Sequence, residues 1–130
     1  MKHEFGEPPS QFHLSQRGKE SAEILVKAHW FDSQPSAARF AFAVSLRNDI
    51  PLDEFAERSE YGSAHGGSTH SLSAVDPNYE MDSVLRVLRP EHSEASRKEV
   101  YSIITRLSDV GLSHLAQAVE RGAKITDFID

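Results

Sequence analysis

The chain contains no cysteine, which excludes both a disulfide framework and a thiolate metal site. It also lacks any apolar run near the roughly 20 residues that a membrane-spanning helix needs. The first ten residues, MKHEFGEPPS, have no apolar core of the kind found in signal peptides. We therefore expect a cytoplasmic protein without a membrane segment. A length of 130 residues suits one domain with one core.

Positive charge is also scarce, because 20 acidic residues against 14 lysines and arginines give a formal net charge of -6. A protein that binds nucleic acid through its overall field would be basic, so DNA binding here requires a local patch. Residues 11–47 and 86–106 are mildly basic, and residues 48–60 are acidic. Such runs are also typical of ordinary solvated faces, and the sequence leaves both interpretations open.

Apolar spacing and proline positions predict a mainly α-helical fold, a compact single-domain bundle of about five or six helices with room for one short strand or hairpin. Residues 1–11 are expected to form a flexible tail and residues 12–130 the domain. The stretch QFHLS (residues 11–15) is either a weak strand or a lead-in to a helix. The stretch AARFAFAVSL (residues 37–46) is apolar on nearly all sides, which predicts a helix at the centre of the fold.

Helical spacing also predicts which residues share a face and where helices end. In the first helix, one face would hold Ile24, Leu25, Ala28 and Phe31. A helix beginning at Asp76-Pro77 would have Met81, Val84, Leu85 and Leu88 at helical spacing. Ser96 and Glu99 fit a capping box at the start of the next helix. Gly111 is expected to mark a turn between two helices, and Gly122 to end the last one.

The stretch YGSAHGGSTHS (residues 61–71) raises the question of whether this segment is a loop that binds a metal ion or a phosphate. As a metal site, His65 and His70 would need further ligands such as Glu60 or Asp76, because zinc requires three or four. As a phosphate loop it lacks the lysine that follows the glycines in a Walker-type motif. The stretch is therefore interpreted as a mobile connector, which could at most contact one phosphate or a partner. No metal and no cofactor are expected.

Nucleophilic catalysis has no support in the pattern of residues. The chain has no cysteine nucleophile and no Gly-x-Ser-x-Gly elbow. The carboxylates Asp53, Glu54 and Glu57 fit the solvated face of a short acidic helix better than an acid/base pair. The sequence thus favours a non-catalytic binding protein.

Residues 11–46 have the outline of a ribbon-helix-helix DNA-binding unit: a lead-in, an amphipathic helix, a polar turn and a buried helix. In such a unit, one strand from each of two subunits forms a ribbon that enters the major groove. The lead-in offers only Gln11 and His13 for contacts with bases, and no arginine or lysine. A dimeric repressor or antitoxin of this type stays open as an alternative.

Four segments in a fixed order carry a wider resemblance, over residues 12–130. They are FHLSQRGKESAEIL, SAARFAFAVSLRNDIP, a glycine-containing polar middle and LSHLAQAVERGAKITDFID. In this order they resemble the DndE family, the small proteins of the bacterial DNA phosphorothioation system. The second-helix pattern of that family is matched by Arg39, Ala41, Ser45 and Leu46. Its closing helix and ending are matched by His114, Arg121, Gly122 and ITDF.

The resemblance implies a helical, non-catalytic accessory subunit of DNA phosphorothioate (sulfur) modification, a restriction-modification and phage-defence function. Implied partners are a PAPS-reductase-like sulfurtransferase subunit, an ATPase of the SMC/Rad50 type, and nicked or intact duplex DNA bound with low affinity. A homo-oligomer, either a dimer or a tetramer, is also implied. The expected contacts with DNA phosphates are Arg17, Lys19, Lys27, Arg39 and Arg47.

Three alternatives accompany these expectations: one for Arg39, one for the function and one for the aromatic residues. Because Arg39 lies on a largely apolar helix, it could instead pair with an acid from residues 53–60. A subunit of a defence system that binds only proteins, without DNA contact, is a third candidate function. The aromatic residues that could build a subunit interface, or else the core, are Trp30, Phe31, Phe40 and Phe42.

Overall fold

The computed structural model of the protein describes residues 5–48 and 67–129. These residues form five α-helices and one two-stranded antiparallel ribbon, which confirms the predicted mainly helical fold with a short hairpin. The elements are β1 (Gln11–Leu14), α1 (Gln16–Lys27), α2 (Gln34–Arg47), β2 (Ser68–Ser71), α3 (Leu72–Val75), α4 (Glu80–Leu88) and α5 (Arg97–Glu120). Two 3-10 turns follow α4 and α5, at Pro90–His92 and Ile125–Phe128.

The centre of the fold is the contact between α2 and α5, the most extensive in the described part of the chain. The prediction of a turn at Gly111 is wrong, because α5 is one continuous helix of 24 residues that passes through it. A side chain at position 111 would overlap the backbone oxygen of Ala41 and crowd the Ser45 hydroxyl. The glycine therefore allows two helices to approach closely, and does not end one of them.

Small residues also define the buried side of α1. Of the four residues predicted to share one face, Leu25 is buried and Phe31 is partly buried against the core, whereas Ile24 and Ala28 are only partly buried. The helix ends at Lys27, and His29 has a positive φ of 65° that turns the chain away. The residues of α1 that are buried are Gly18, Ser21, Ala22 and Leu25. Gly18 lies directly against the buried Asp109 of α5, so small side chains are required there.

The ribbon packs one of its faces on the core. Phe12 pairs with His70 and Leu14 with Ser68, and both apolar side chains of β1 are buried. Gly67 precedes β2 in contact with the Leu14 carbonyl, where any side chain would overlap the backbone. The strand interpretation of QFHLS is confirmed. Residues 69–75 (THSLSAV) divide into the end of β2 and the short helix α3.

The start of α4 lies later than predicted. Asp76 does not begin the helix, because the first helical residue is Glu80 and the residue before it, Tyr79, has a left-handed conformation with φ of 57°. The Asp76 carboxylate nevertheless caps the helix from outside, since it accepts hydrogen bonds from the backbone N–H groups of Glu80 (2.8 Å) and Met81 (3.0 Å). Pro90 lies two residues beyond the end of the helix at Leu88.

Both ends of the described chain fold back onto the helices. The Phe5 carbonyl accepts a hydrogen bond from the Arg97 backbone N–H (2.9 Å). Beyond α5, Gly122 has a positive φ of 86°, as expected for a residue that ends a helix. Of the four aromatic residues considered for an interface, Phe42 is buried, and Trp30, Phe31 and Phe40 are partly buried against the core. Trp30 lies against Phe128, and Phe31 lies against Phe40.

Candidate functional site

The five cations expected to contact DNA lie on two helices and do not form one cluster. Arg17 is half-buried on α1, donates from Nε to the Ser113 hydroxyl of α5 (3.1 Å), and so is committed to an internal contact. Lys19 is half-buried and Lys27 is exposed, also on α1. Arg39 and Arg47 are both exposed on α2.

Each helix places two of these cations on one stripe. Residues eight apart in a helix lie about 80° apart around its axis and about 12 Å apart along it, so both can belong to one broad stripe. On α1 the stripe of Lys19 and Lys27 has the exposed Glu23 between its two lysines, which reduces its positive charge. On α2 the stripe of Arg39 and Arg47 has the exposed Ala43 between them. Among the described residues, the position between the two cations thus holds an acid on α1 and an alanine on α2.

The α2 stripe forms one side of a groove between α2 and α4. The groove has a volume of about 420 Å³, and the described residues lining it are mostly apolar. Together with Arg39 and Arg47 they are Phe42, Ala43, Leu46, Glu80, Met81, Val84 and Leu88. Phe42, Leu46 and Met81 are buried and form the floor, whereas Val84 is 42% and Leu88 52% exposed. We call this surface the α2–α4 groove.

Val84 and Leu88 share the helical spacing of Met81 and Leu85 but do not face the core. Of these four residues, only Met81 and Leu85 are buried, and the third buried position on α4 is Asp82. Val87, on the same helix, is 75% exposed. A nine-residue helix has too little length to bury every apolar residue that helical spacing groups together. The surplus of valine and leucine between Asp82 and Pro90 was the available sequence signal for an exposed apolar surface.

Two buried carboxylates hold α4 in place against α5. Asp76 accepts a hydrogen bond from the Tyr101 hydroxyl of α5 (2.6 Å) in addition to its bonds with the start of α4. Burial, and then the hydrogen bond to Asp76, raises the pKa of the Tyr101 phenol well above its ordinary value. Asp82 pairs with Arg86 (2.7 Å) and lies 3.8 Å from the Arg97 guanidinium. Because α4 is anchored from its inner side, its outer side can stay exposed without loosening the helix.

The described end of the histidine-containing stretch, residues 67–71, supplies β2 of the ribbon. His70 Nε2 lies 3.3 Å from Gln34 Oε1 and 3.2 Å from the Ser68 hydroxyl. Burial, and secondarily the charge of His13, lowers the pKa of His70 below its ordinary value of 6.5. Within residues 5–48 and 67–129, no three potential ligands gather around one point.

Several predictions fall outside the described residues. These concern His65, which was considered with His70 as a metal ligand, and the short acidic helix with Asp53, Glu54 and Glu57. The alternative pairing of Arg39 with an acid of residues 53–60 also falls there. Inside the described part, the close approach of Gly67 to the Leu14 backbone explains why this position is a glycine, without a contact to phosphate.

No family model, no curated protein and no solved structure matches the chain. None of the described helices is both long enough and apolar enough to cross a membrane. The functional argument therefore depends on the placement of the charged and apolar surfaces described above.

Proposed function

We propose that the chain is a non-catalytic accessory subunit of DNA sulfur modification, which contacts the DNA backbone and partner subunits. The resemblance to the DndE family motivates the DNA part of this proposal. The observation that supports a binding role is the exposed apolar surface of Val84, Val87 and Leu88, because small proteins keep few such surfaces without a use for them. The expected dimer or tetramer belongs to the same proposal, since it would repeat a small basic stripe several times.

Lys19 and Lys27 are the first choice for phosphate contacts, because neither side chain is held by a hydrogen bond or ion pair with the described residues, whereas Arg17 donates to Ser113. Lysines on an exposed helix face act as point charges toward phosphates and carry no base readout. Arg39 and Arg47 are the second choice, because they also border the α2–α4 groove.

The test is a titration of purified protein with intact and singly nicked duplexes of one sequence, at about 50 and 200 mM salt. Phosphate-driven binding should weaken steeply over that range, because released counterions oppose it. The double variant Lys19→Glu/Lys27→Glu should bind more weakly than the wild type. Its matched control, Lys98→Glu/Lys124→Glu, makes the same charge change at two other exposed lysines and should bind as the wild type does. Equal binding by both double variants would contradict the assignment of the α1 stripe.

The ribbon-helix-helix alternative has less support, because β1 pairs with β2 of the same chain. In a ribbon-helix-helix dimer the corresponding strand pairs with its counterpart in the other subunit. The alternative without DNA contact is favoured by one observation, the α2–α4 groove itself, whose apolar floor is suited to protein and not to phosphate. Absence of binding to either duplex would shift the assignment to that alternative.

A further inference from the structure

We infer that residues 5–10 form a releasable strap that clamps α4 to the start of α5, and that opening of this strap loosens α4 while α1 and α2 stay packed. The inference goes beyond the proposed function and does not depend on DNA binding. Its consequence lies on the outer side of α4, where the exposed apolar residues are Val84, Val87 and Leu88. A change in the packing of α4 changes that surface as well.

Phe5, at one end of the strap, contacts two helices at once. Its ring lies against the guanidinium of Arg86 on α4, whose Cζ is 3.6 Å from the ring centroid. Its carbonyl accepts a hydrogen bond from the backbone N–H of Arg97, the first residue of α5 (2.9 Å). A guanidinium is attracted to the face of an aromatic ring, and more strongly where water is excluded. One residue therefore links α4 to α5 through two different contacts.

The strap lies over a buried ion pair of α4. Arg86 pairs with Asp82 (2.7 Å), and the two side chains are only 9% and 4% exposed. Arg86 also donates to the Ser93 carbonyl beyond the helix (3.0 Å). The Phe5 ring covers one face of this guanidinium, so its departure would admit water to the pair. Water weakens the attraction between the two charges, and α4 would lose part of its anchor on the inner side.

The backbone of the strap contains a hinge. Gly6 has a positive φ of 90°, and a side chain added there would have no atom within 4 Å. Glycine adopts this conformation at little cost, whereas other residues do not. Between the hinge and β1, Pro8 and Pro9 restrict the chain. At the far end, the Ser10 carbonyl accepts a hydrogen bond from the Leu72 N–H (3.0 Å), so the strap stays attached to the ribbon when Phe5 leaves.

The effect of opening should be confined to α4 and the beginning of α5. The helix α4 buries only three of its nine residues, which is typical of a unit that opens locally before the whole protein unfolds. The close approach of α2 to α5 lies elsewhere, at Gly111. Arg97 and Gly111 are 14 residues apart in α5, and hence about 21 Å apart along its axis. Opening of the strap therefore leaves that contact intact.

The test is amide hydrogen exchange of the full chain, measured residue by residue by NMR. The reporters are the N–H of Arg97, which donates to Phe5, and the N–H of Arg89, which donates to Leu85 of α4. In Phe5→Ala both amides should exchange at least about fivefold faster than in the wild type, because the contact with Arg86 is lost. The amides of α2 should exchange at unchanged rates.

Four further variants separate the ring from the backbone. Phe5→Tyr keeps the aromatic face and should stay within about twofold of the wild type, whereas Phe5→Leu should behave like Phe5→Ala. Gly6→Ala leaves Phe5 in place but disfavours the backbone of the closed strap, and should also speed exchange at Arg97. Gly122→Ala is the matched control, with a φ of 86° and open space around it, and should leave exchange at Arg97 unchanged.

Three outcomes would overturn the inference. The first is faster exchange in α2 and α4 alike in Phe5→Ala, which would make Phe5 a part of the common core. The second is unchanged exchange at Arg97 and Arg89 in both Phe5→Ala and Gly6→Ala. The third is equal acceleration at Arg97 in Gly6→Ala and Gly122→Ala. If Phe5→Ala does not fold, Gly6→Ala decides between the same outcomes, and loss of DNA binding in any lysine variant bears only on the proposed function.

Discussion

The two flanks of α2 meet their neighbours in different ways. Toward α5, Ala41 and Ser45 lie so close to Gly111 that no side chain fits at position 111. Toward α4, the larger Phe42 and Leu46 lie beside a groove that remains open. Small residues produce a contact that is complete within the chain, whereas large apolar residues at an open edge leave surface for another molecule. The closed flank supports the fold, and the open flank is where we expect binding.

The largest effect should separate the two sides of α4. Leu85→Ala should lower the free energy of unfolding by about 2–5 kcal/mol, because Leu85 is fully buried and its removal leaves a cavity. Leu88→Ala should change it by less than about 0.5 kcal/mol, because that side chain is half exposed. Urea denaturation followed by circular dichroism measures both. Equal losses would mean that the outer side of α4 belongs to the core, and the contrast between the flanks would fail.

The next largest effect concerns the closed flank. Gly111→Val should cost about 1–3 kcal/mol, since the added side chain must displace the Ala41 backbone or force the helices apart. Gly122→Ala is the control at a glycine with open space around it but a positive φ of 86°. It should cost about 1 kcal/mol through backbone strain alone. If Gly111→Val were the milder change, the α2–α5 contact would not be as tight as the geometry indicates.

Much of the fold could be predicted from the sequence, because the signals were local. Apolar spacing correctly indicated α1, and the proline positions with the apolar stretch of residues 37–46 correctly indicated α2 and its central place. Gly111 was misinterpreted because the sequence does not distinguish a glycine that ends a helix from one that admits a neighbouring helix. That distinction depends on Ala41, seventy residues away.

The candidate site was harder to predict, for the same reason. Helical spacing groups Met81, Val84, Leu85 and Leu88 on one broad side, but it does not give the direction from which α5 approaches. That direction is set by Tyr101 and by the buried carboxylates of Asp76 and Asp82, whose pairing is between distant elements. Arg39 and Arg47 could be placed on one stripe from their spacing, but the groove beside them could not.

A smaller effect should come from the anchor beneath α4. Tyr101→Phe should lower the free energy of unfolding by about 1–2 kcal/mol, because the buried Asp76 loses a hydrogen-bond donor. A control at the exposed phenol, Tyr79→Phe, removes a hydroxyl without touching Asp76 and should leave stability nearly unchanged.

The same tyrosine gives a pH dependence with a defined sign. Its pKa is raised in the folded state, so above the ordinary value of 10.0 the folded chain retains a proton that the unfolded chain has lost. Stability should therefore fall as the pH rises past about 10, and it should fall less in Tyr101→Phe. Denaturation at about pH 8.5 and 10.5 makes the comparison. Parallel slopes for wild type and variant would contradict the buried hydrogen bond.

The smallest effect should arise at the ribbon, where His70 lies between Gln34 and Ser68. The pKa of His70 is lowered in the folded state, so as the pH falls through 6.5 the unfolded chain takes up a proton before the folded one does. Stability from this group is therefore present above pH 6.5 and declines below it. Titration of the His70 ring by NMR should give a midpoint below 6.5, and His13→Gln should move that midpoint upward by removing a neighbouring charge. A midpoint at or above 6.5 in the wild type would mean that the ribbon leaves His70 open to water, and the packing of β2 against α2 through Gln34 would have to be abandoned.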